Sequence, residues 1–259
     1  QHGLLALGWW IYSCVMQEGD KARNWRSRWR QIWVGAVWMA CLFHWTSYLL
    51  RWYIGGRIPL GNGHETMLFL AGFLLLCTCI WQRLFSFLLP AGLLLSGFTL
   101  LVAYLSEMNP QITPLMPVLL SPWLSLHVSL IMVSYALFAL MCLCSILALS
   151  IRQHTWQRQR LTLFCRVLLY PAVLCLGIGI FIGAVWANVS WGSYWAWDPK
   201  EVWALITFML YGMAFHVQSL PRFRNPYFFH WFLIVSFSAI LMTYFGVNYV
   251  LGGMHSYAG

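Results

Sequence analysis

Apolar positions in this chain run on without the helical or alternating gaps that a water-facing side would impose, and the runs recur at lengths set by a bilayer. Stretches able to cross roughly 30 Å of hydrocarbon occur about seven times. They cover Ile32 to Ile54, Thr66 to Trp81, Leu84 to Leu105, Trp123 to Ile151, Leu161 to Val189, Val202 to Leu220 and Tyr227 to Leu251. Leu4 to Met16 reads as the end of another. The pattern predicts an all-α, polytopic membrane helix bundle of about eight transmembrane helices, organised as one domain over residues 1–259. Because the chain begins with Gln1 rather than Met, it reads as a fragment or trimmed product, and no signal peptide is legible.

Composition supports that class. With 61% hydrophobic and 8% charged residues, too little polar surface exists to solvate a globular domain of 259 residues. The formal charge of +9 is unevenly placed. Lys21, Arg23, Arg26, Arg28 and Arg30 fall in one connection, Arg83 in a hairpin, Arg152, Arg158 and Arg160 in another, and Arg222 with Arg224 in the last. With the spans above, all of these share one side, and Arg51, Arg57 and Lys200 lie on the other. The excess of basic residues predicts that the first side is cytoplasmic. The charge therefore reads as topology and contact with anionic lipid, and no soluble domain remains that could bind nucleic acid.

Between two apolar runs lies Trp191-Gly192-Ser193-Tyr194-Trp195-Ala196-Trp197-Asp198-Pro199-Lys200-Glu201-Val202-Trp203, with Trp186 just upstream. An aromatic belt at the membrane boundary gathers Trp and Tyr without any ligand. Here the indoles are packed around an Asp-Pro-Lys-Glu tetrad, which a belt does not require. Broad rigid rings stack on a planar ligand, and the charged residues can orient polar edges or start a helix, so segment 186–203 is a candidate wall for a flat aromatic ligand.

The eight cysteines carry less information. Cys14, Cys41, Cys77, Cys79, Cys142, Cys144, Cys165 and Cys175 all lie in apolar spans, without the Cys-x-x-Cys spacing of a zinc or redox site. No Cys-x-x-Cys-His occurs either, so the chain does not attach haem to itself.

Histidine is costly inside a bilayer and usually has a partner or a metal there. His127 lies about one turn into its span on the outer side, and His255 follows the last span on the same side. His216, fourteen positions after Val202, sits on the order of 21 Å deeper. One iron cannot reach both levels, since metal–nitrogen bonds are about 2 Å long. His127 and His255 are therefore candidate axial ligands of a haem resting against the tryptophan segment. His44, mid-span, reads equally as ligand or packing residue. His230, close in depth to His216, reads as an interfacial, snorkelling residue ahead of a partner for His216, and His64, within Pro59-Leu60-Gly61-Asn62-Gly63-His64-Glu65, as part of a turn entering a helix.

These residues also carry a resemblance. Trp191-Gly192-x-x-Trp195-x-Trp197-Asp198-Pro199-Lys200-Glu201, Arg51-Trp52-Tyr53 with Pro59 and Asn62-x-x-Glu65, and the closing Met254-His255-Ser256-Tyr257 resemble the cytochrome c assembly proteins with a tryptophan-rich WWD signature, most closely the CcsA (ResC) type of the System II cytochrome c synthase. The resemblance covers nearly the whole chain and implies haem handling. The family receives haem b from the cytoplasmic side, presents it externally, and promotes its attachment to the Cys-x-x-Cys-His motif of an apocytochrome c. It implies that His127 and His255 are external haem ligands, that His216 is an intramembrane one, and that Trp191, Trp195, Trp197 and Asp198 belong to the haem-binding segment. It also implies a CcsB/ResB-like membrane partner supplying a further ligand, and a bacterial inner membrane as the location. Lys200, Arg51 and Arg57 are candidates for the haem propionates. Two other classes compete with a haem lyase subunit: a haem exporter that delivers without attaching, and an electron-transfer cytochrome b, which requires histidine pairs at matching depth.

Overall fold

The computed structural model of this chain describes residues 22–83, 88–105, 110–112, 117–150, 155–217 and 219–251, and every regular element among them is helical. The chain divides into two compact units, Gln1–Pro114 and Leu115–Gly259.

The first unit contains α1 (Ala22–Gly55), α2 (Gly63–Trp81) and α3 (Leu88–Leu105). Asn62 starts α2 by accepting the Glu65 N–H at 2.9 Å, as expected of a turn entering a helix. Val37 and Cys41 of α1, Leu75 and Cys79 of α2, and Leu89 and Leu93 of α3 close a buried core. Where apolar packing supplies no direction, hydroxyls and glycines do. Ser96 of α3 donates to the Ala71 carbonyl at 2.9 Å, and Gly92 leaves the space that Thr78 fills.

The second unit opens with a 3₁₀ turn (Pro117–Leu120) and continues through α4 (Pro122–Ser150), α5 (Thr155–Trp191), α6 (Pro199–Met213), a second 3₁₀ turn (Pro221–Arg224) and α7 (Pro226–Leu241), which runs on as a π-helical stretch from Met242 to Leu251. Proline opens α4, α6 and α7, where its missing N–H costs nothing. Antiparallel α4 and α5 make the main contact of this unit. Glycines at 177, 179 and 183 on α5 let its neighbours close in: a Cβ on Gly179 would lie 2.8 Å from Ile131 of α4, and one on Gly177 would lie 3.0 Å from Phe208 of α6. Tyr211 of α6 stacks on Phe138 of α4 at 3.7 Å between centroids, so α6 is anchored across the unit.

Six helices among the described residues are long and apolar enough to span a membrane. They follow the expected runs with shifts of a few residues at their ends. Two expectations change. The run from Val202 to Leu220 is not one helix: α6 has 15 residues, about 22 Å, and ends at Met213. Phe215 and His216 then donate to carbonyls only three residues back, Gly212 and Met213, both at 3.1 Å, and this tightening turns the chain away. The run from Tyr227 to Leu251 changes its winding after Leu241, where the Thr243 hydroxyl donates to the Ala239 carbonyl at 2.7 Å and competes with the ladder. The helix expected over Leu4 to Met16 lies outside the described residues, as do His2, His154 and His255.

Candidate functional site

In the second unit the tryptophan segment forms the connection from α5 to α6. Trp191 ends α5, Gly192 follows with φ of 78°, and Trp186 meets Trp191 edge to face at 5.9 Å. Asp198 then caps α6. Its carboxylate accepts the Lys200 N–H at 3.1 Å, and the Glu201 carboxylate reaches back to the N–H groups of Ala196 at 2.9 Å and Asp198 at 3.2 Å. Those last two bonds bracket Trp197. With both its neighbours' amides drawn to one oxygen, Trp197 takes φ of 58°, a left-handed conformation that disfavours a side chain. Its indole is 73% exposed and meets Trp195 edge to face at 6.1 Å. A large apolar ring held outward by a strained backbone is a feature associated with binding sites. Asp198, by contrast, is buried and committed to starting α6. Burial pushes the Lys200 ammonium down to about 8, against an upward pull from Asp198.

His127 is held by the glycines of α5. Its Nδ1 lies 2.7 Å from the Gly179 carbonyl, and a Cβ on Gly183 would come within 2.6 Å of the ring. Since a carbonyl only accepts, a proton is on Nδ1, and in the neutral ring the lone pair is then on Nε2, the tautomer that ligates a metal through Nε2. Helix α4 therefore delivers an oriented imidazole close to the tryptophan-bearing end, two turns along α5 from Trp191.

His216 lies at the other end of α6, in the turn beyond its last residue, and is exposed. His127 and His216 thus keep the depth order expected from their spans. The α5–α6 register fixes the surroundings of His216: Gly177 faces Phe208, and seven residues further along each segment Tyr170 meets Phe215 at 5.0 Å. Tyr170, which meets the residue before His216, lies four residues from Arg166 along α5.

Among the described residues, the other histidines lie within helix packing or in the first turn of α2. His230 is fully buried rather than snorkelling. The Thr162 hydroxyl donates to the Arg158 carbonyl, so it accepts from His230 Nε2 at 2.9 Å, while Ser145 donates to Nδ1 at 3.0 Å. Both ring nitrogens are satisfied inside the helix packing. In the first unit His44 Nε2 donates to the Leu68 carbonyl at 3.0 Å, with its ring over Gly72. Arg51 and Arg57 converge on Glu65, which is 1% exposed: Arg51 Nε donates at 3.2 Å, and Arg57 donates at 2.8 and 3.2 Å. Arg51 also donates to the carbonyls of Pro110 at 2.7 Å and Gln111 at 3.1 Å. These two arginines hold the first unit's own end together, which disfavours the propionate role.

Three residues enter the site only with the helices in place, although each has a signal in the chain. Gly179 and Gly183 carry the Gly-x-x-x-Gly spacing of closely packed membrane helices. Arg166 is a charge inside an apolar span, itself a signal of function. Among the described residues no group of three or more His, Cys, Asp or Glu side chains is arranged to hold a metal ion, and the cysteines are free thiols.

A multi-pass helical membrane protein with an oriented histidine about two helical turns from a connection carrying exposed indoles is the class that fold and site define. Residues 60–255 match the family model described as cytochrome C assembly protein. The chain belongs to that family and is of the CcsA cytochrome c biogenesis type. It is 39% identical over 229 residues to Protein NrfI of Wolinella succinogenes, covering 85% of this chain and 25% of that protein. It is 36% identical over 228 residues to the cytochrome c biogenesis protein CcsA of Chlamydomonas reinhardtii (81% of this chain, 63% of that protein) and 31% identical over 258 residues to that of Guillardia theta (86% and 84%). The chain thus spans a quarter of NrfI and just under two thirds of the Chlamydomonas protein.

Proposed function

We propose that this chain takes haem b as substrate from the cytoplasmic side and holds it at the tryptophan-bearing end for attachment to the Cys-x-x-Cys-His motif of an apocytochrome c, acting with a CcsB/ResB-like membrane protein. The observation that carries this reading is His127. Its Nδ1 proton is committed to Gly179, which in the neutral ring makes Nε2 the nitrogen with the iron-binding lone pair, about two helical turns from indoles suited to a planar macrocycle. His255 is the second axial ligand in this proposal, Trp191, Trp195 and Trp197 are the stacking wall, and His216 is the ligand at the cytoplasmic end through which haem enters. The location is a bacterial inner membrane with the tryptophan segment outside.

Haem supplies the vinyl groups. A cysteine thiol adds across each one, sulfur bonding to the vinyl carbon next to the ring and the proton ending on the terminal carbon, so no oxidant or reductant is consumed. The protein's contribution is position: a ligated iron and a flat wall hold the vinyls in register with the thiols, which replaces a bimolecular encounter by an oriented one. The short α6 separates entry and presentation by about 22 Å, within the span of a membrane.

Co-expression with an apocytochrome, with and without the CcsB-like half, tests the reading by covalent haem stain. Attachment that requires both halves and falls in His127→Ala supports it. Haem bound at wild-type level with no attachment under any condition favours the delivery-only alternative. Within the second unit, His127 and His216 lie at different levels and both ring nitrogens of His230 are taken by Ser145 and Thr162, so these described histidines supply no facing pair of the kind an electron-transfer cytochrome b uses.

A further inference from the structure

We infer that Arg166 is an anion-recognition residue of the His216 site, taking the carboxylates of the porphyrin that His216 ligates. The inference rests on the haem reading above and assigns the orientation of the ligand within it.

Arg166 lies eleven residues into α5, in a span otherwise apolar from Leu161 to Gly179. Its Nη2 donates to the Phe223 carbonyl at 3.1 Å and its guanidinium carbon stands 5.4 Å over the Phe229 ring, so the head group is fixed against the connection from α6 to α7. Its Nε is buried and donates to no described group. A buried charged donor without an acceptor is expensive, and such groups in native proteins usually meet a ligand or ion. The neighbouring arginines differ: Arg158 donates to the Ala148 carbonyl at 3.2 Å and lies 4.3 Å over Tyr227, and Arg160 lies 4.7 Å over Trp156.

Position ties Arg166 to His216. Tyr170, one turn from Arg166, touches Phe215, and Phe223, which Arg166 holds, follows the turn in which the Leu220 N–H donates to the His216 carbonyl at 2.7 Å. Along α5, Arg166 sits about one helical turn, about 6 Å, beyond Tyr170, which meets Phe215 next to His216, and away from the tryptophan end. His216 is exposed, and so are Met213, three residues before it, and Tyr170, which meets Phe215. A flat ligand there would have hydrocarbon around its ring and a cation at one edge.

Charge points the same way. The second unit contains two acidic residues, Asp198 and Glu201, and both serve the α6 cap at the opposite end. No acidic side chain of this unit can reach Arg166, while Arg222 and Arg224 add positive charge in the adjacent turn. Arginine holds carboxylates through its planar fork, and haem carries two on one edge. The alternative anion is a lipid phosphate, which would touch Arg166 without regard to the porphyrin.

The full chain carrying His127→Ala and His255→Ala, which removes both proposed outer ligands, is placed in nanodiscs of phosphatidylcholine and titrated with hemin and with hemin dimethyl ester, following the Soret band. The expected result is that hemin binds about tenfold tighter than its ester, that R166Q removes the difference by weakening hemin alone, and that R166K keeps part of it. Equal preference for hemin in R166Q and in its parent overturns the inference, as does a preference that vanishes when phosphatidylglycerol is added. If R166Q does not fold, R166K is read in its place: a preference smaller than the parent's and unchanged by phosphatidylglycerol supports the porphyrin carboxylate, and a preference equal to the parent's overturns it. No binding of either porphyrin by the parent sinks the haem reading at His216, an outcome distinct from binding both alike, which sinks the role of Arg166.

Discussion

Trp197 allows the strain at the site to be separated from its use. Its φ of 58° is imposed by Glu201, which draws in the amides on either side, and the left-handed region costs a residue with a Cβ roughly 1–2 kcal/mol that glycine does not incur. Glycine loses more backbone freedom on folding, roughly 0.5–1 kcal/mol relative to alanine. Because the indole is 73% exposed, truncating it removes little packing in either variant. Trp197→Gly should therefore be more stable than Trp197→Ala by about 0.5–1 kcal/mol, or about 1–4 °C in melting temperature for a chain of this size. Both variants should lose haem retention, since both lack the ring. Paired thermal melts in one detergent, with haem content measured on the same samples, provide the test. A glycine variant melting at or below the alanine variant would refute the strain argument, and full haem retention in both would remove Trp197 from the wall.

The same end of the molecule yields two more expectations. Gly183→Ala places a methyl within 2.6 Å of the His127 ring, so the imidazole must move; on the proposed reading, the absorbance of haem bound at His127 should shift or disappear while the helical circular dichroism is kept. For Lys200, a folded value of about 8 lies below that of the unfolded chain, so protonation favours unfolding, and stability should rise as pH climbs from 8 toward 10. Any haem-edge contact made by the ammonium should fade over that same window, and Lys200→Arg should flatten the binding profile measured from pH 7 to 10.

How much of the molecule is legible in its sequence depends on which force governs each part. Spans set by apolar length are legible, since Ile32 to Ile54 or Trp123 to Ile151 cannot be placed elsewhere than in or beside hydrocarbon. The break of α6 at Met213 is not, because residues 214–220 remain apolar enough to continue and the turn is made by backbone bonds three residues back. The Asp198 and Asn62 caps follow from local spacing, which a sequence displays directly. The left-handed Trp197 does not, because it arises from two amides sharing one carboxylate oxygen of the next helix. Depth alone singles out His127, whereas the tautomer set by Gly179 emerges only when α4 pairs with α5. The buried state of His230 is hidden for the same reason, since Ser145 and Thr162 come from helices far away in sequence.

If His127 ligates haem iron beside the exposed indoles, that bond has an optical signature. Spectra of the chain purified with the proposed CcsB-like partner should be recorded for wild type, for His127→Ala, and for His127→Gly with added imidazole. Wild type should give a low-spin bis-histidine spectrum, the alanine variant should lose it, and imidazole filling the place of the missing ring should restore it in the glycine variant. A low-spin spectrum that persists unchanged in His127→Ala would show that the iron is held by another residue.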